Sequence, residues 1–261
     1  MGHSVYLLPC KPGSIFVNLG TDCLNDCRFC VRRYRNFFGY DLNVPHSGDT
    51  ARLIEDGLKR IRALCEKPKE IVICGYGEPF LHFGDVITAA KTGKGIFGQD
   101  TLVRADTNGL WWPRYGDMSF LDYVTSLSVS LNAENSDKYN RICQSRVPDA
   151  YSILWRFLGE LVNEREQRTS RGEHFPDVRL TVVDTSEKMY MPPREQADPV
   201  EDCPVPDFER CREIANQLGF PLVVKRLFRD AHECDWNPKI VEATLDGAYL
   251  EKCIGCKHRH I

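Results

Sequence analysis

The chain has 261 residues, of which 42% are hydrophobic and 27% charged, and its formal net charge is -3. These values are typical of one large globular domain and exclude a disordered, collagen-like or coiled-coil chain. The near balance of 34 basic and 37 acidic residues gives no global reason to expect a nucleic-acid or membrane surface as partner.

Cysteine is unusually frequent, with 12 residues. The segment from Met1 to Leu19 has no apolar signal-peptide stretch, and the longest apolar runs are strand-sized, so we expect a cytoplasmic protein without a membrane segment. The cytosol keeps thiols reduced. The cysteines therefore indicate metal or redox chemistry more than a disulfide framework.

Short β-branched runs alternate with longer stretches of helical period, which predicts repeated βα units with a mostly parallel sheet. The predicted strands are Ile15–Leu19, Glu70–Cys74, Leu102–Asp106, Ser126–Leu131, Val178–Val183 and Leu222–Leu227. Six such units favour an α/β fold, a partial (β/α)6 TIM-like barrel whose site lies at the C-terminal ends of the strands.

Two segments interrupt this rhythm. The proline-rich stretch Thr185–Pro206 follows a strand end and is predicted to be a long loop, either a substrate lid or a surface insertion. After Leu227 the sequence becomes polar, aromatic and rich in Cys and His. We therefore predict a core domain over residues 1–228 and a Cys/His-rich C-terminal extension over 229–261.

The first predicted strand leads directly into a loop with three cysteines, Cys23, Cys27 and Cys30, in CX3CX2C spacing. Thiolates are the soft ligands that iron-sulfur clusters require, and three of them leave one iron of a 4Fe-4S cluster open for chemistry. Structural zinc is the alternative. Zinc sites are usually closed by four ligands, however, and no fourth ligand lies nearby in the sequence.

This motif, with the aromatic Phe29 before the third cysteine, resembles the radical S-adenosylmethionine (SAM) superfamily. The second predicted strand ends in Cys74-Gly75-Tyr76-Gly77-Glu78-Pro79, which resembles the family's Gly-Glu-Pro segment that binds the methionine amino group of SAM. Glycines let backbone carbonyls approach a ligand closely, and a glutamate can offset an ammonium charge.

The resemblance spans roughly Ile15 to Leu227 and is especially close to the small branch associated with TatD-type nucleases. It implies further cofactor contacts on the later strands, for which ordinary sheet packing or turn chemistry is the alternative explanation. The implied residues are Asn108 after the third strand, Ser128, Ser130 and Asn132 on the fourth, and Val183 on the fifth.

The chemistry implied by the resemblance is reductive cleavage of SAM at the 4Fe-4S cluster to a 5′-deoxyadenosyl radical, which abstracts hydrogen from substrate. The implied electron donor is a reductant such as flavodoxin or ferredoxin. The alternatives are a glycyl-radical-activase-like enzyme, a peptide-modifying enzyme of the same superfamily, and a non-catalytic iron-sulfur electron carrier. Neither the product nor the fate of SAM follows from the sequence.

The substrate is predicted only by class. Arg32, Arg33 and Arg35 interleave with Tyr34 and Phe37 after the cysteine loop, a composition suited to a small nucleoside-derived substrate or an RNA base. A solvated helix turn that packs its aromatic side chains inward is the structural alternative. Near the end of the sixth predicted strand, alternation allows only one of Lys225 and Arg226 to face the mouth of the barrel.

The C-terminal extension contains Cys234, Cys253 and Cys256, the last two in CX2C spacing with histidines nearby. A tail this short cannot build its own core, and a bound metal would hold it in place. The pattern predicts either an auxiliary 4Fe-4S cluster or a zinc site. Cys65 and Cys211 fall on apolar helix faces and are predicted to be core residues.

Overall fold

The computed structural model describes residues 4–8, 13–30, 32, 42–63, 67–186 and 203–226. The strands of this part of the chain are β1 (Val5–Leu7), β2 (Ser14–Asn18), β3 (Glu70–Cys74), β4 (Val103–Thr107), β5 (Ser126–Ser130), β6 (Asp177–Asp184) and β7 (Leu222–Arg226). The helices are α1 (Thr50–Arg62), α2 (Phe83–Phe97), α3 (Trp112–Tyr115), α4 (Ser136–Cys143), α5 (Ala150–Arg171) and α6 (Phe208–Leu218).

The strands follow their chain order in one seven-stranded sheet. The pairs β2–β3, β3–β4, β5–β6 and β6–β7 are parallel, whereas β1 pairs antiparallel with β2. The predicted α/β fold with a mostly parallel sheet is confirmed, and all six predicted strands are present. From β2 to β7 the strands follow one another in chain order with helices between them, which is the arrangement of a TIM-like barrel.

The chain divides into two compact units. In the first, which holds the described residues up to Asp22 and from 42 to Ala105, β2 and β3 are buried on both faces and read as continuous apolar runs. Ile15, Val17, Ile71 and Ile73 have no exposed surface. Helix α1 packs closely on β1, because a Cβ added at Gly57 would lie 2.7 Å from Val5 Cγ2.

The second unit holds the described residues from Cys23 to 32 and from Asp106 onwards. Its core contains Trp111, whose ring stacks edge-on against Phe120 and Phe157 and whose indole N–H donates to Thr107 Oγ1 at 3.0 Å. Cys211 of α6 is fully buried, as predicted, and burial raises its thiol pKa to about 12.

One face of the second unit's strands is polar and concave. The ammonium of Lys225 on β7 lies 3.8 Å from the Asp106 carboxylate on β4. Side chains stand roughly perpendicular to a flat sheet, where β4 and β7 would be about 14 Å apart at three strand spacings. The ion pair therefore indicates that these strands curve around this face, and it identifies Lys225 as the residue of the basic pair that faces Asp106.

Among the helices that the structure describes, none is long and apolar enough to cross a membrane. The predicted cytoplasmic location and the domain boundary at residue 228 stay predictions. The proline-rich loop is described only at its ends, where Thr185 Oγ1 donates to Pro204 O at 2.9 Å.

Candidate functional site

The cysteine loop lies at the C-terminal end of α4. The amides of Asp26 and Arg28 donate to Cys143 O at 3.0 Å and Ile142 O at 2.9 Å. The last carbonyls of a helix have no partner within the helix, so the loop satisfies two acceptors that would otherwise face solvent or the core. Backbone hydrogen bonds thus hold this part of the loop against the helix, and Asn25 Nδ2 adds a side-chain bond to the Tyr139 hydroxyl at 3.2 Å.

The three cysteines are half-buried and lie in different surroundings. Asn108 Nδ2 donates to Cys23 Sγ at 3.6 Å, and Arg32 Nε donates to Cys30 Sγ at 3.4 Å. A hydrogen bond with the Cys143 thiol and burial hold the pKa of Cys27 well above its ordinary value. Burial also raises the pKa of Cys30. Both thiols are therefore protonated at neutral pH when no metal is bound.

Three thiols in one anchored loop fit a 4Fe-4S cluster. Within the described ranges, no group of three Cys, His, Asp or Glu side chains is arranged to hold a single metal ion. Zinc draws its ligands together around one atom at about 2.3 Å from each sulfur, whereas a cubane binds each thiolate to a different iron. Three soft thiolates with no fourth ligand nearby in the sequence are a donor set that fits the cluster better than zinc.

The Gly-Glu-Pro turn lies in the first unit and packs closely against neighbouring backbone. Gly75 has a φ of +125°, which disfavours other residues, and Asn18 Oδ1 accepts a hydrogen bond from Tyr76 N at 3.3 Å. At Gly77 an added Cβ would lie 2.7 Å from each of the carbonyl oxygens of Gly20 and Asp22. This turn therefore needs glycine to approach the chain that leads into the cysteine loop.

Glu78 is 3% exposed and caps a 3-10 helix, Pro79–His82. Its Oε1 accepts from Phe80 N at 3.2 Å, and its own amide donates to Asp22 O at 2.7 Å. The carboxylate thus has a structural partner that the sequence motif did not predict. A carboxylate accepts several hydrogen bonds, so the cap and a contact with a ligand ammonium are compatible.

Two of the remaining predicted contacts of the second unit have identified neighbours. Ser128 is 1% exposed and its hydroxyl accepts from Arg179 Nε at 2.7 Å, while Asn132, at a φ of +59°, donates its side-chain amide to Cys143 Sγ at 3.5 Å. Ser130, Val183 and Phe29 are half-buried. Their roles in cofactor binding stay predictions.

Sequence reasoning missed Cys143, because no motif or spacing marks it and its neighbour Cys27 is more than a hundred residues away. Other predictions fall outside the described residues: Arg33, Arg35 and the aromatic side chains near them, Cys65, and the C-terminal Cys234, Cys253 and Cys256.

Comparison with known proteins agrees with the cysteine motif. No protein-family model matches the chain. It is 30% identical over 190 residues to the S-adenosyl-L-methionine-dependent tRNA 4-demethylwyosine synthase of Pyrococcus horikoshii, and 29% identical to that of Pyrococcus abyssi. Each match covers 65% of this chain and 51% of the relative. The chain thus spans about half the length of these curated relatives.

Solved structures similar to this one include a radical SAM methyltransferase from Sphaerobacter thermophilus, with a TM-score of 0.45, 19% identity, and coverage of 82% of this chain and 66% of that one. Another is native anSMEcpe with bound AdoMet, with a TM-score of 0.46, 13% identity, and coverage of 81% and 50%. The closer resemblance to the TatD-associated branch stays a prediction. The sequence similarity to SAM-dependent synthases and the CX3CX2C loop together support a radical SAM enzyme.

Proposed function

We propose that this protein binds a 4Fe-4S cluster through Cys23, Cys27 and Cys30 and uses SAM to abstract hydrogen from a nucleoside-derived or tRNA-base substrate. The observation that carries the proposal is the cysteine loop itself. Three thiols lie within eight residues, backbone bonds seat the loop on α4, and N–H groups are directed at two of the sulfurs.

When bound, the cluster and SAM supply a 5′-deoxyadenosyl radical by one-electron reductive cleavage. The chain's own residues bind and orient these groups. The three thiolates would hold three irons of the cluster, Glu78 would offset the ammonium of the methionine moiety, and Gly75 and Gly77 would let backbone carbonyls approach that moiety. A flavodoxin or ferredoxin is the proposed source of the electron.

The substrate class rests on two kinds of support. The relatives are synthases that act on tRNA by name. The concave polar face of the second unit, with Asp106, Ser130 and Lys225, offers both donors and acceptors, which suits a heteroaromatic base with both kinds of group. We also propose that Cys234, Cys253 and Cys256 bind a second cluster or zinc.

Anaerobic reconstitution tests the proposal. The full chain is expected to take up about four irons if only the CX3CX2C loop binds a cluster, and about eight if the C-terminal cysteines bind another. If those cysteines bind zinc, iron stays near four and one zinc is present. Dithionite and SAM should then yield 5′-deoxyadenosine, measured by liquid chromatography. A protein that binds no iron, or a loaded protein that leaves SAM intact, would contradict the proposal.

The role of Glu78 can be separated from its structural cap. Glu78→Gln keeps a side-chain oxygen for Phe80 N but removes the charge, so SAM affinity of the loaded protein is expected to fall by about one to two powers of ten, for a charged hydrogen bond of about 1.5–3 kcal/mol. Iron content should not change. Calorimetric titration with SAM measures the affinity.

Glu78→Ala serves as the comparison. It loses the charge and also the cap, and loss of the cap should lower the free energy of unfolding by about 1 kcal/mol. Wild-type SAM affinity in Glu78→Gln would assign Glu78 to the cap alone.

A further inference from the structure

Two side chains of the second unit direct N–H groups at cysteine sulfurs of the loop. Arg32 Nε lies 3.4 Å from Cys30 Sγ, and Asn108 Nδ2 lies 3.6 Å from Cys23 Sγ. Sulfur is larger than oxygen, so N–H···S hydrogen bonds are longer than the usual 2.7–3.2 Å of N–H···O bonds. The two contacts engage different thiols from two separate parts of the chain.

The loop holds Arg32 in place. Arg32 Nη2 donates to Asn25 O at 2.8 Å and lies 3.6 Å from Asp26 Oδ1, and the side chain is only 20% exposed. A guanidinium is planar and presents several donors in a rigid fork, so the bond to Asn25 O orients Nε towards Cys30. A permanent positive charge is thereby held next to one of the proposed cluster ligands.

The orientation of Asn108 is also determined by its neighbours. Its Oδ1 accepts from Leu110 N at 2.9 Å, so Nδ2 is the atom directed at Cys23. This assignment is secure because an amide N–H cannot donate to another amide nitrogen, whereas it donates readily to a side-chain oxygen. The residue is 8% exposed and sits at the end of β4.

Cys27 has a different neighbour. It shares a hydrogen bond with the buried thiol of Cys143, which also accepts from Asn132 Nδ2. Asn132 is a neutral amide. Arg32, in contrast, places a positive charge next to Cys30.

We propose that Arg32 and Asn108 are positioning residues that raise the reduction potential of the cluster bound by Cys23, Cys27 and Cys30. Reduction adds one electron to a cluster that already carries three thiolates. A nearby positive charge and N–H donors stabilise the more negative, reduced form more than the oxidised form. The inference rests on the proposed function and adds to it how easily the cluster accepts its electron.

The midpoint potential of the reconstituted protein, titrated electrochemically and followed by EPR without SAM or substrate, tests the inference. At the wild-type midpoint, Arg32→Gln is expected to lower the ratio of reduced to oxidised cluster about tenfold, a shift of about 59 mV for one electron. Arg32→Lys keeps the charge but loses the fork, so its shift should be smaller.

Asn108→Asp tests the contact with Cys23. It keeps an oxygen for Leu110 N but replaces the N–H donor with a negative charge, so the midpoint should fall as well. Arg212→Gln removes an exposed arginine of α6 that pairs with Glu209 and should leave the midpoint unchanged. This control separates a local effect from a change of net charge.

The outcomes distinguish a failure of this inference from a failure of the proposed function on which it rests. Wild-type iron content with unchanged midpoints in Arg32→Gln and Asn108→Asp would overturn the inference alone. A wild-type protein that assembles no cluster would overturn the proposed function and this inference with it. If Arg32→Gln fails to assemble a cluster, Arg32→Lys and Asn108→Asp provide the decisive potentials.

Discussion

Replacement of Cys23, Cys27 and Cys30 by alanine together is expected to abolish 5′-deoxyadenosine formation and to remove about four irons per chain from the reconstituted protein. Without thiolates the loop retains no soft ligand for iron. Cys143, a thiol that contacts Cys27, is buried and belongs to α4. The effect on activity should be complete, because the SAM-binding residues have no radical chemistry of their own.

The triple variant should still fold. Asp26, Arg28 and Arg146 connect the loop to its surroundings through backbone hydrogen bonds at 2.9–3.0 Å, and none of these bonds uses a cysteine side chain. Circular dichroism and the thermal midpoint should therefore stay close to those of the cluster-free wild type. Undiminished 5′-deoxyadenosine formation in the folded triple variant would contradict the assignment of these cysteines.

Two single variants are matched controls. Cys211→Ala removes a fully buried thiol of α6 and should keep iron and activity at a modest cost in stability. Cys143→Ser removes the thiol that Cys27 contacts while retaining a polar group of similar size. It should also retain iron, because Cys143 is a neighbour of the proposed ligands and not one of them.

The fold was largely predictable because its strands are local patterns. The observed bounds of β2 to β7 agree with the predicted runs to within one residue at each end, since each strand is a β-branched segment between turn residues. β1 was missed. It has three residues, Val5–Leu7, too few for a period, and it is specified by pairing with Ile15–Val17 rather than by its own sequence.

The candidate site was predictable only where its residues are consecutive. The cysteine loop and the Gly-Glu-Pro turn are short motifs, whereas the partners of their side chains come from distant parts of the chain. Asn108 was predicted as a cofactor contact, and the structure places its amide on Cys23 Sγ instead of leaving it unpaired. Tertiary packing, which no local pattern encodes, decides such contacts.

Arg32 illustrates the same limit. In the sequence it belongs to a run of arginines and aromatic residues and is a candidate for substrate binding. In the structure its guanidinium folds back onto the cysteine loop, with donors to Cys30 and Asn25. Residue type and spacing predicted a positive charge near the cysteine loop, but they could not predict that the Arg32 side chain points towards Cys30.

Gly77→Ala is expected to cause a large loss of stability for a single methyl group. The added Cβ would lie 2.7 Å from Gly20 O and 2.7 Å from Asp22 O, and 3.0 Å from Asp22 N. These atoms belong to the backbone, so no side chain can rotate to relieve the contact. Asp22 O also accepts the hydrogen bond from Glu78 N at 2.7 Å, so moving it away weakens the turn further.

The free energy of unfolding of the cluster-free protein should fall by about 2–4 kcal/mol, from about 1–3 kcal/mol for overpacking and about 1 kcal/mol for the weakened hydrogen bond. Urea denaturation followed by circular dichroism measures it. SAM affinity of the loaded protein should fall as well, because the displaced backbone carries Glu78 with it.

Gly95→Ala is the matched control, since it introduces the same methyl group on an exposed position of α2, where no atom beyond the adjoining residues and the helix's own backbone lies within 4 Å. Alanine is a better helix former than glycine, so this variant should be more stable than wild type by about 0.5–1 kcal/mol. The two substitutions thus differ in sign although they are chemically identical. If Gly77→Ala proved as stable as Gly95→Ala and bound SAM normally, the turn would have room for a side chain, and the close backbone approach proposed for SAM binding would lose its support.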